Sequence, residues 1–456
     1  MLLAGLAGTG ACSSDNPVLE PSPPGIESVA VAAGPHNVLQ AVVSVTLHDA
    51  DSVAVRYGML GTPLDSTTPV IIAHESQQLD VLGLLPGTAY HMQVIAYGND
   101  VSAMSDTLEL TTGNLPADLP SYQAGGSSPS PGFVVFAANA YGIVIDNTGR
   151  VVWYRQLPGG MTLNFQPQPT GRYLTQPVTA APGDLTPWAE IDPSGTITRT
   201  LGCANGLHSR FHDIIVLPDG SYWLMCDDTR LMDLTSVGGV AAAQVTGTVV
   251  QHVSATGTLL FEWNAFDHFD ITDLDQQSRT GPMVNWTHGN ALDLDAAGNL
   301  LVSFRSLSEI TKIEVATGAV IWRMGGLRNQ FTYEESGLPF TRQHGVRLIA
   351  PGQLQLFDNL GEQEGSRAER YEFVEATHSV RRTAAFSSSP DVTSLLGGST
   401  QPLPGGRILV AYGNANRVQE YDGSGAVVWE ILGDPGYIFR AERIASLYAP
   451  GVGTPR

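Results

Sequence analysis

Three histidines stand at matching places in the chain, each ahead of a glycine turn. His212 comes eight residues before Gly220, His288 ten before Gly298, and His344 eight before Gly352. The stretch NWTHGNALDLDAAGNLLVSFRS, Asn285 to Ser306, shows what such a spacing does. Two alternating runs flank a turn at Ala297-Gly298-Asn299, which reads as a β-hairpin. A hairpin returns its second strand to the edge where the first began, so Arg305 comes back beside His288 and Asn290. The same return predicts Asp227 and Asp228 near His212, and Asp358 and Asn359 near His344. Neutral imidazole is a nucleophile and a proton carrier near neutral pH. Guanidinium is a planar, permanently charged fork for oxyanions. Together these residue types suit transfer of an anionic group: the arginine and the amide hold the oxyanion, one histidine attacks, and the others serve the leaving oxygen or the acceptor. Three convergent histidines also suit zinc or copper, though a cation is repelled by Arg305. Polar residues heading a repeat can also be structural caps.

The elements that must bring these residues together are visible as a repeat. One half-repeat, a strand, a glycine turn and a strand, recurs as GFVVFAAN, PTGRYLTQ, LPDGSYWLMCD, DAAGNLLVSFR, APGQLQLFDN and LPGGRILVAYG. A second, ending in an outer strand, recurs as IDNTGRVVWY, IDPSGTITRT, SATGTLLFEW, VATGAVIWRM, the degenerate EATHSVRRTA, and YDGSGAVVWE. The alternation predicts six four-stranded antiparallel sheets. Sheets of this kind hide both faces by packing radially, which gives a six-bladed β-propeller. Each blade starts at its innermost strand, so repeat symmetry turns the three histidines toward one another at the channel mouth. The first blade is a strand short, because SYQAGGSSPSP reads as no strand, while YIFRAERIASLY (Tyr437 to Tyr448) is a strand to spare. That C-terminal strand is expected to complete the first blade, close the ring and carry Arg440 and Arg443 to the channel wall as substrate-binding residues. His208 is expected in the loop leading into the His212 strand, and His252, His268 and His378 in solvated outer segments. Trp153, Trp263, Trp322 and Trp429 follow the outer turn at a fixed offset and read as packing between blades. Phe331, Tyr333 and Phe340 lie in a long connection that either walls the site or covers its rim.

Short β-rich runs punctuated by 50 glycines and 29 prolines, with no helical periodicity, define an all-β protein. The net charge of −21 argues against a nucleic-acid partner, which needs a basic face. Residues 1–24 read as an export signal and tether without a basic start, with Cys12 a candidate for lipidation and hence for membrane tethering. No run is long and apolar enough to span a bilayer as a helix. Cys203 and Cys226 fit one disulfide in an oxidising periplasmic or extracellular setting, or two buried thiols. Residues 25–114 read as a small β-sandwich, 115–131 as a linker, and 132–456 as the catalytic propeller. Within the sandwich, LDVLGLLPGTAYHMQVIAYG resembles a fibronectin type III domain, with Tyr90 pointing inward.

Four propeller segments carry a second resemblance: FHDIIVLPDGSYWL, NWTHGNALDLDAAGNLLVSFRSLSEITKIEVATGAVIWRMGG, QHGVRLIAPGQLQLFDN with SRAERYEF, and GSTQPLPGGRILVAYGNANRVQEYDGSGAVVWEI. In these the chain resembles the bacterial aryl sulfotransferases that work without the nucleotide sulfate donor. The resemblance implies ping-pong transfer of a sulfuryl group from an aryl sulfate to a phenol through a sulfohistidine, with no cofactor. It implies His344 as the residue that accepts the sulfuryl group and His288 with Asn290 as the HxN pair. It further implies Arg305 as the sulfate-binding arginine and His212 as a further active-site histidine. Gly345 departs from the aspartate many relatives carry there, and His212 stands where some have two histidines. The sandwich also differs from the leading domain expected of such enzymes. A non-catalytic ligand- or partner-binding propeller, and a metal-dependent propeller hydrolase or lyase, are the alternatives.

Overall fold

The computed structural model describes residues 22–157, 159–177, 187–334, 340–360 and 365–449. Cys12 and most of the signal-like segment lie outside them. The described chain is all-β, with short 3-10 turns and no α-helix among the described residues. It divides into two compact units. The smaller comprises Met1–Ala32, Val42–Val81 and Ala89–Thr111; the larger comprises Ala33–Ala41, Leu82–Thr88 and Thr112–Arg456.

The smaller unit rests on two antiparallel sheets, one containing Gln40–His48 and the other pairing Ser52–Met59 with Ala89–Gly98. Alternation is clean where one face is covered: Val43, Val45 and Leu47 are buried, as are Met92 and Val94.

The larger unit holds six sheets, each built on four antiparallel strands, with one further short strand added to three of them. Their leading strands are Thr162–Pro167, His208–Val216, Gly289–Leu294, His344–Ala350 and Ser399–Pro402. The remaining sheet is led by the C-terminal strand Ala441–Ile444, which pairs antiparallel with Phe133–Ala138. Each leading strand packs beside the next in this order, and Ala441–Ile444 touches both Ser399–Pro402 and Thr162–Pro167. Leading strands carry one unpaired backbone edge, and side chains from their neighbours satisfy it. Asn164 Nδ2 donates to the carbonyls of Phe211 and His212, both at 3.0 Å, and Gln166 Nε2 to that of Ile214 at 2.9 Å. Asp213 accepts from the Leu292 amide at 3.0 Å and Asp293 from the Leu348 amide at 2.8 Å. Gln401 pairs with the backbone of Arg443 in both directions, at 2.6 and 3.0 Å. The strand interiors are therefore polar for a structural reason, and they form a rigid frame under the histidines.

Two expectations fail here. Gln123–Gly125 is a strand, inside the segment expected to have none, and it pairs with Val427–Leu432 at the outer edge of the last sheet. Three residues suffice because only backbone groups are exchanged, so no side-chain pattern marks them. His208 is not in a loop either: it opens its strand opposite Asp227, and a bulge between Ser209 and Ile214 separates it from the regular ladder.

Aromatic packing fills the spaces between the sheets. Trp153, Trp263, Trp322 and Trp429 are all buried. His252 and His268 are not simply solvated, since each lies flat on a tryptophan: His252 on Trp223 at 4.4 Å and His268 on Trp263 at 4.9 Å between centroids. Phe331 and Phe340 do not wall a site but pack on Trp322 and Tyr371 respectively. Cys203 and Cys226 are joined by a disulfide with Cα atoms 6.2 Å apart.

Candidate active site

The three histidines meet. His288 Nε2 lies 3.2 Å from His212 Nε2, and the His212 and His344 ring centroids are 6.4 Å apart. They come from three consecutive leading strands: His344 opens its strand, His288 directly precedes Gly289–Leu294, and His212 lies in the irregular stretch between Ser209 and Ile214, just ahead of the regular ladder. His288 also has a left-handed backbone, φ 51°, which costs a non-glycine residue on the order of 1 to 3 kcal/mol and is held by the surrounding frame. Gly345, directly after His344, has φ 58°, and a Cβ there would stand 3.0 Å from the Ser399 Cα. A side chain at that position would push the neighbouring leading strand away.

Each ring has a defined neighbour. His344 Nδ1 lies 2.7 Å from Asn359 Oδ1, and His288 Nδ1 lies 2.6 Å from Asn285 Nδ2. Phe211 stacks on His212 at 4.1 Å, and Phe439 presents its ring edge-on to His212 and His344 at 5.7 and 6.1 Å. Burial, followed by nearby positive charge, keeps all three rings neutral. It holds His212 and His288 well below the ordinary imidazole range, with Arg210 and Arg305 adding to the effect. His344 is lowered to about 4, mainly by burial, with the Asn359 hydrogen bond opposing and Arg305 reinforcing the shift.

Arg305 is tied to this group through its backbone, its amide donating to the His288 carbonyl at 2.9 Å, as a hairpin return requires. Its Nη2 donates to the Leu395 carbonyl at 2.9 Å, and its buried Nε has no hydrogen-bond partner among the described residues. Burial lowers its pKa, Arg342 lowers it further, and Tyr437 opposes. An arginine so placed, in a chain of net charge −21, offers a local site for an anion.

The other expected residues divide. Asn290 is buried and donates to the Gln343 carbonyl at 2.6 Å, bracing the strand that begins at His344. Arg440 reaches the cluster, but its Nη2 is committed to the His212 carbonyl at 3.0 Å and to Asp213 at 3.3 Å. Arg443 does not reach it. It is buried against Glu420 at 2.8 Å, with Asn147 Oδ1 and the Ser130 carbonyl accepting from it at 2.7 and 2.9 Å. Arg440 stands just before the strand Ala441–Ile444 and Arg443 on it, and only the former turns toward the histidines. Asp227 binds Arg210 at 2.6 Å, whereas Asp228 binds Arg230 at 2.8 Å, away from His212. Asp358 braces the Thr341 amide at 2.8 Å. Asn285, Arg210, Phe211 and Phe439 were not singled out by sequence, although each sits within three residues of an expected site residue. Among the described residues no group of three or more His, Cys, Asp or Glu has the arrangement of a metal site.

A family profile described as Arylsulfotransferase (ASST) matches residues 196–434, more than half of the chain and including all three histidines and Arg305. The protein belongs to the arylsulfotransferase family. No curated protein matches it significantly. Among solved structures, a protein of unknown function from Bacteroides caccae is 14% identical, with a TM-score of 0.44 over 68% of this chain and 98% of that one. An inactive virginiamycin B lyase from Staphylococcus aureus is 10% identical, with a TM-score of 0.38 over 68% and 85%. The fn3 domain of human contactin 1 is 19% identical, with a TM-score of 0.16 over 24% and 99%. At such scores these likenesses carry no functional argument.

Proposed function

We propose that the protein is an aryl sulfotransferase that works by ping-pong transfer through His344, on a closed six-bladed propeller. The cyclic order of the leading strands supports the ring, and the meeting of three neutral imidazoles with Arg305 supports the chemistry. In the first half-reaction a His344 nitrogen lone pair forms the N–S bond while the S–O(aryl) bond breaks, and the phenolate leaves with that electron pair. In the second, the acceptor reacts as its phenolate, its proton having gone to solvent; its oxygen forms a new S–O bond, the N–S bond breaks, and His344 recovers its lone pair. Arg305 offsets the charge on the sulfuryl oxygens throughout, which is positioning and electrostatics much as in phosphoryl transfer. Residues 25–114 are read as a fibronectin type III-like sandwich preceding the transferase. The disulfide is consistent with export to an oxidising compartment, with Cys12 as a lipid tether.

Incubation with 4-nitrophenyl sulfate should add one SO3 to the His344 peptide, measurable by mass spectrometry and lost when phenol is added. The His344→Ala variant should show neither adduct nor turnover, and Arg305→Ala should mainly raise the donor KM. Wild-type rates in the His344 variant would sink the nucleophile assignment. No adduct and no phenol release from the wild-type protein would favour a binding role instead.

A further inference from the structure

Two asparagines hold two of the rings in opposite states. Asn359 is fully buried, and its Nδ2 donates to the carbonyls of Ser394 and Gly397, both at 2.9 Å. That fixes the amide, so the atom 2.7 Å from His344 Nδ1 is an oxygen, which only accepts. His344 must therefore carry its hydrogen on Nδ1 and keep a bare lone pair on Nε2. Around His288 the amide is turned the other way. Asn285 Oδ1 faces Arg210 Nη2 at 3.4 Å, and Arg210 is itself anchored by Asp227 at 2.6 Å. Because a guanidinium only donates, Asn285 presents Nδ2 to His288 Nδ1 at 2.6 Å, and that ring must carry its hydrogen on Nε2. His212 Nε2, 3.2 Å away, then accepts from it.

We propose that Asn359 and Asn285 are positioning residues that set His344 and His288 in opposite tautomers, making His344 Nε2 the nucleophilic atom and His288 Nε2–H the donor to the departing phenolic oxygen. The proposal rests on the sulfotransferase reading. As the S–O bond breaks, its electron pair stays on the phenolic oxygen, and His288 steadies that oxygen with a hydrogen bond rather than by giving up the proton. His212 holds the same hydrogen until the aryl sulfate takes it, and Asp227, through Arg210, keeps Asn285 from turning over.

The tautomers can be read directly from 15N NMR of histidine-labelled protein, with signals assigned by His344→Gln and His288→Gln. The expected spectrum has Nδ1 protonated in His344 and Nε2 protonated in His288. The reverse at either ring overturns the proposal, whether or not the protein transfers sulfate. Activity supplies the second test, using Asn285→Asp, an exposed position where folding should survive. The new carboxylate accepts from Nδ1–H, so His288 keeps Nε2–H only while the ring is doubly protonated. Phenyl sulfate turnover should then acquire a fall on the alkaline side, reaching about 10²-fold, the usual loss for one transition-state donor. Turnover of 4-nitrophenyl sulfate, whose leaving oxygen needs less help, should fall much less. A pH profile and leaving-group dependence superimposable on wild type would overturn the role given to Asn285. Absence of turnover in the wild-type protein would instead defeat the sulfotransferase reading and leave the NMR result to decide the tautomers.

Discussion

As the proposed nucleophile, His344 attacks only while it has a lone pair, and its surroundings preserve that lone pair far into acid. With the pKa lowered from the ordinary 6.5 to about 4, the ring stays neutral where a free imidazole is largely protonated. Turnover of an aryl sulfate should therefore stay flat as pH falls from about 7 to about 5, and halve near 4, in an initial-rate profile taken where the fold is intact. A half-point near 6.5 would mean that burial does not act on this ring. The same shift bears on stability with a definite sign. Between 6.5 and about 4 the unfolded chain binds a proton that native His344 refuses, so stability is lost as pH drops through that window. At this scale the sequence was informative about identity and poor about direction. The spacing of His212, His288 and His344 ahead of their glycines was legible because repeat symmetry converts position into convergence. The states of the rings were not, because they depend on which end of Asn359 and of Asn285 faces inward, and that is set by distant partners such as the Ser394 carbonyl and Arg210.

The leading strands are the elements that matter most, and they are joined by side chains rather than by backbone ladders. This explains why their inward positions hold Asn164, Gln166, Asp213, Asn290 and Asp293, residues that a pattern reader would assign to solvent. It also explains the misplacing of Arg443. On the strand Ala441–Ile444 it faces away from the histidines into a buried pair with Glu420, an ion pair that ties this sheet to its neighbour containing Val418–Tyr421. Arg443→Met should therefore leave the donor KM unchanged while lowering the urea midpoint, since breaking a buried pair costs about 3–5 kcal/mol. A raised KM with unchanged stability would return Arg443 to the site. Hairpins with glycine turns were legible from alternation. The Gln123–Gly125 strand was not, because three residues paired through their backbones leave no periodic trace.

Taken whole, the molecule is strongly acidic yet gathers Arg305, Arg210 and Arg342 around one cluster. Long-range repulsion and local attraction thus oppose each other for an anionic donor. Raising ionic strength from about 10 mM to about 0.1 M shortens the Debye length from roughly 30 to roughly 10 Å, which screens the distant acidic surface more than the nearby arginines. The kcat/KM for an aryl sulfate should rise over that range, whereas the dependence on a neutral phenol should not move. A fall for the sulfate would show that the arginines dominate at every distance. The all-β class follows from composition and turns. The pairing of the last strand with Phe133–Ala138 was read from one missing strand and one spare, which is arithmetic rather than chemistry.

That pairing has a temporal side. Arg440, which grips the His212 carbonyl, and Phe439, which edges both His212 and His344, are supplied by a segment far beyond all three histidines in the sequence. A nascent chain can hold every histidine and still lack the clasp that seats them, until the segment leading into Ala441–Ile444 has been made and docked.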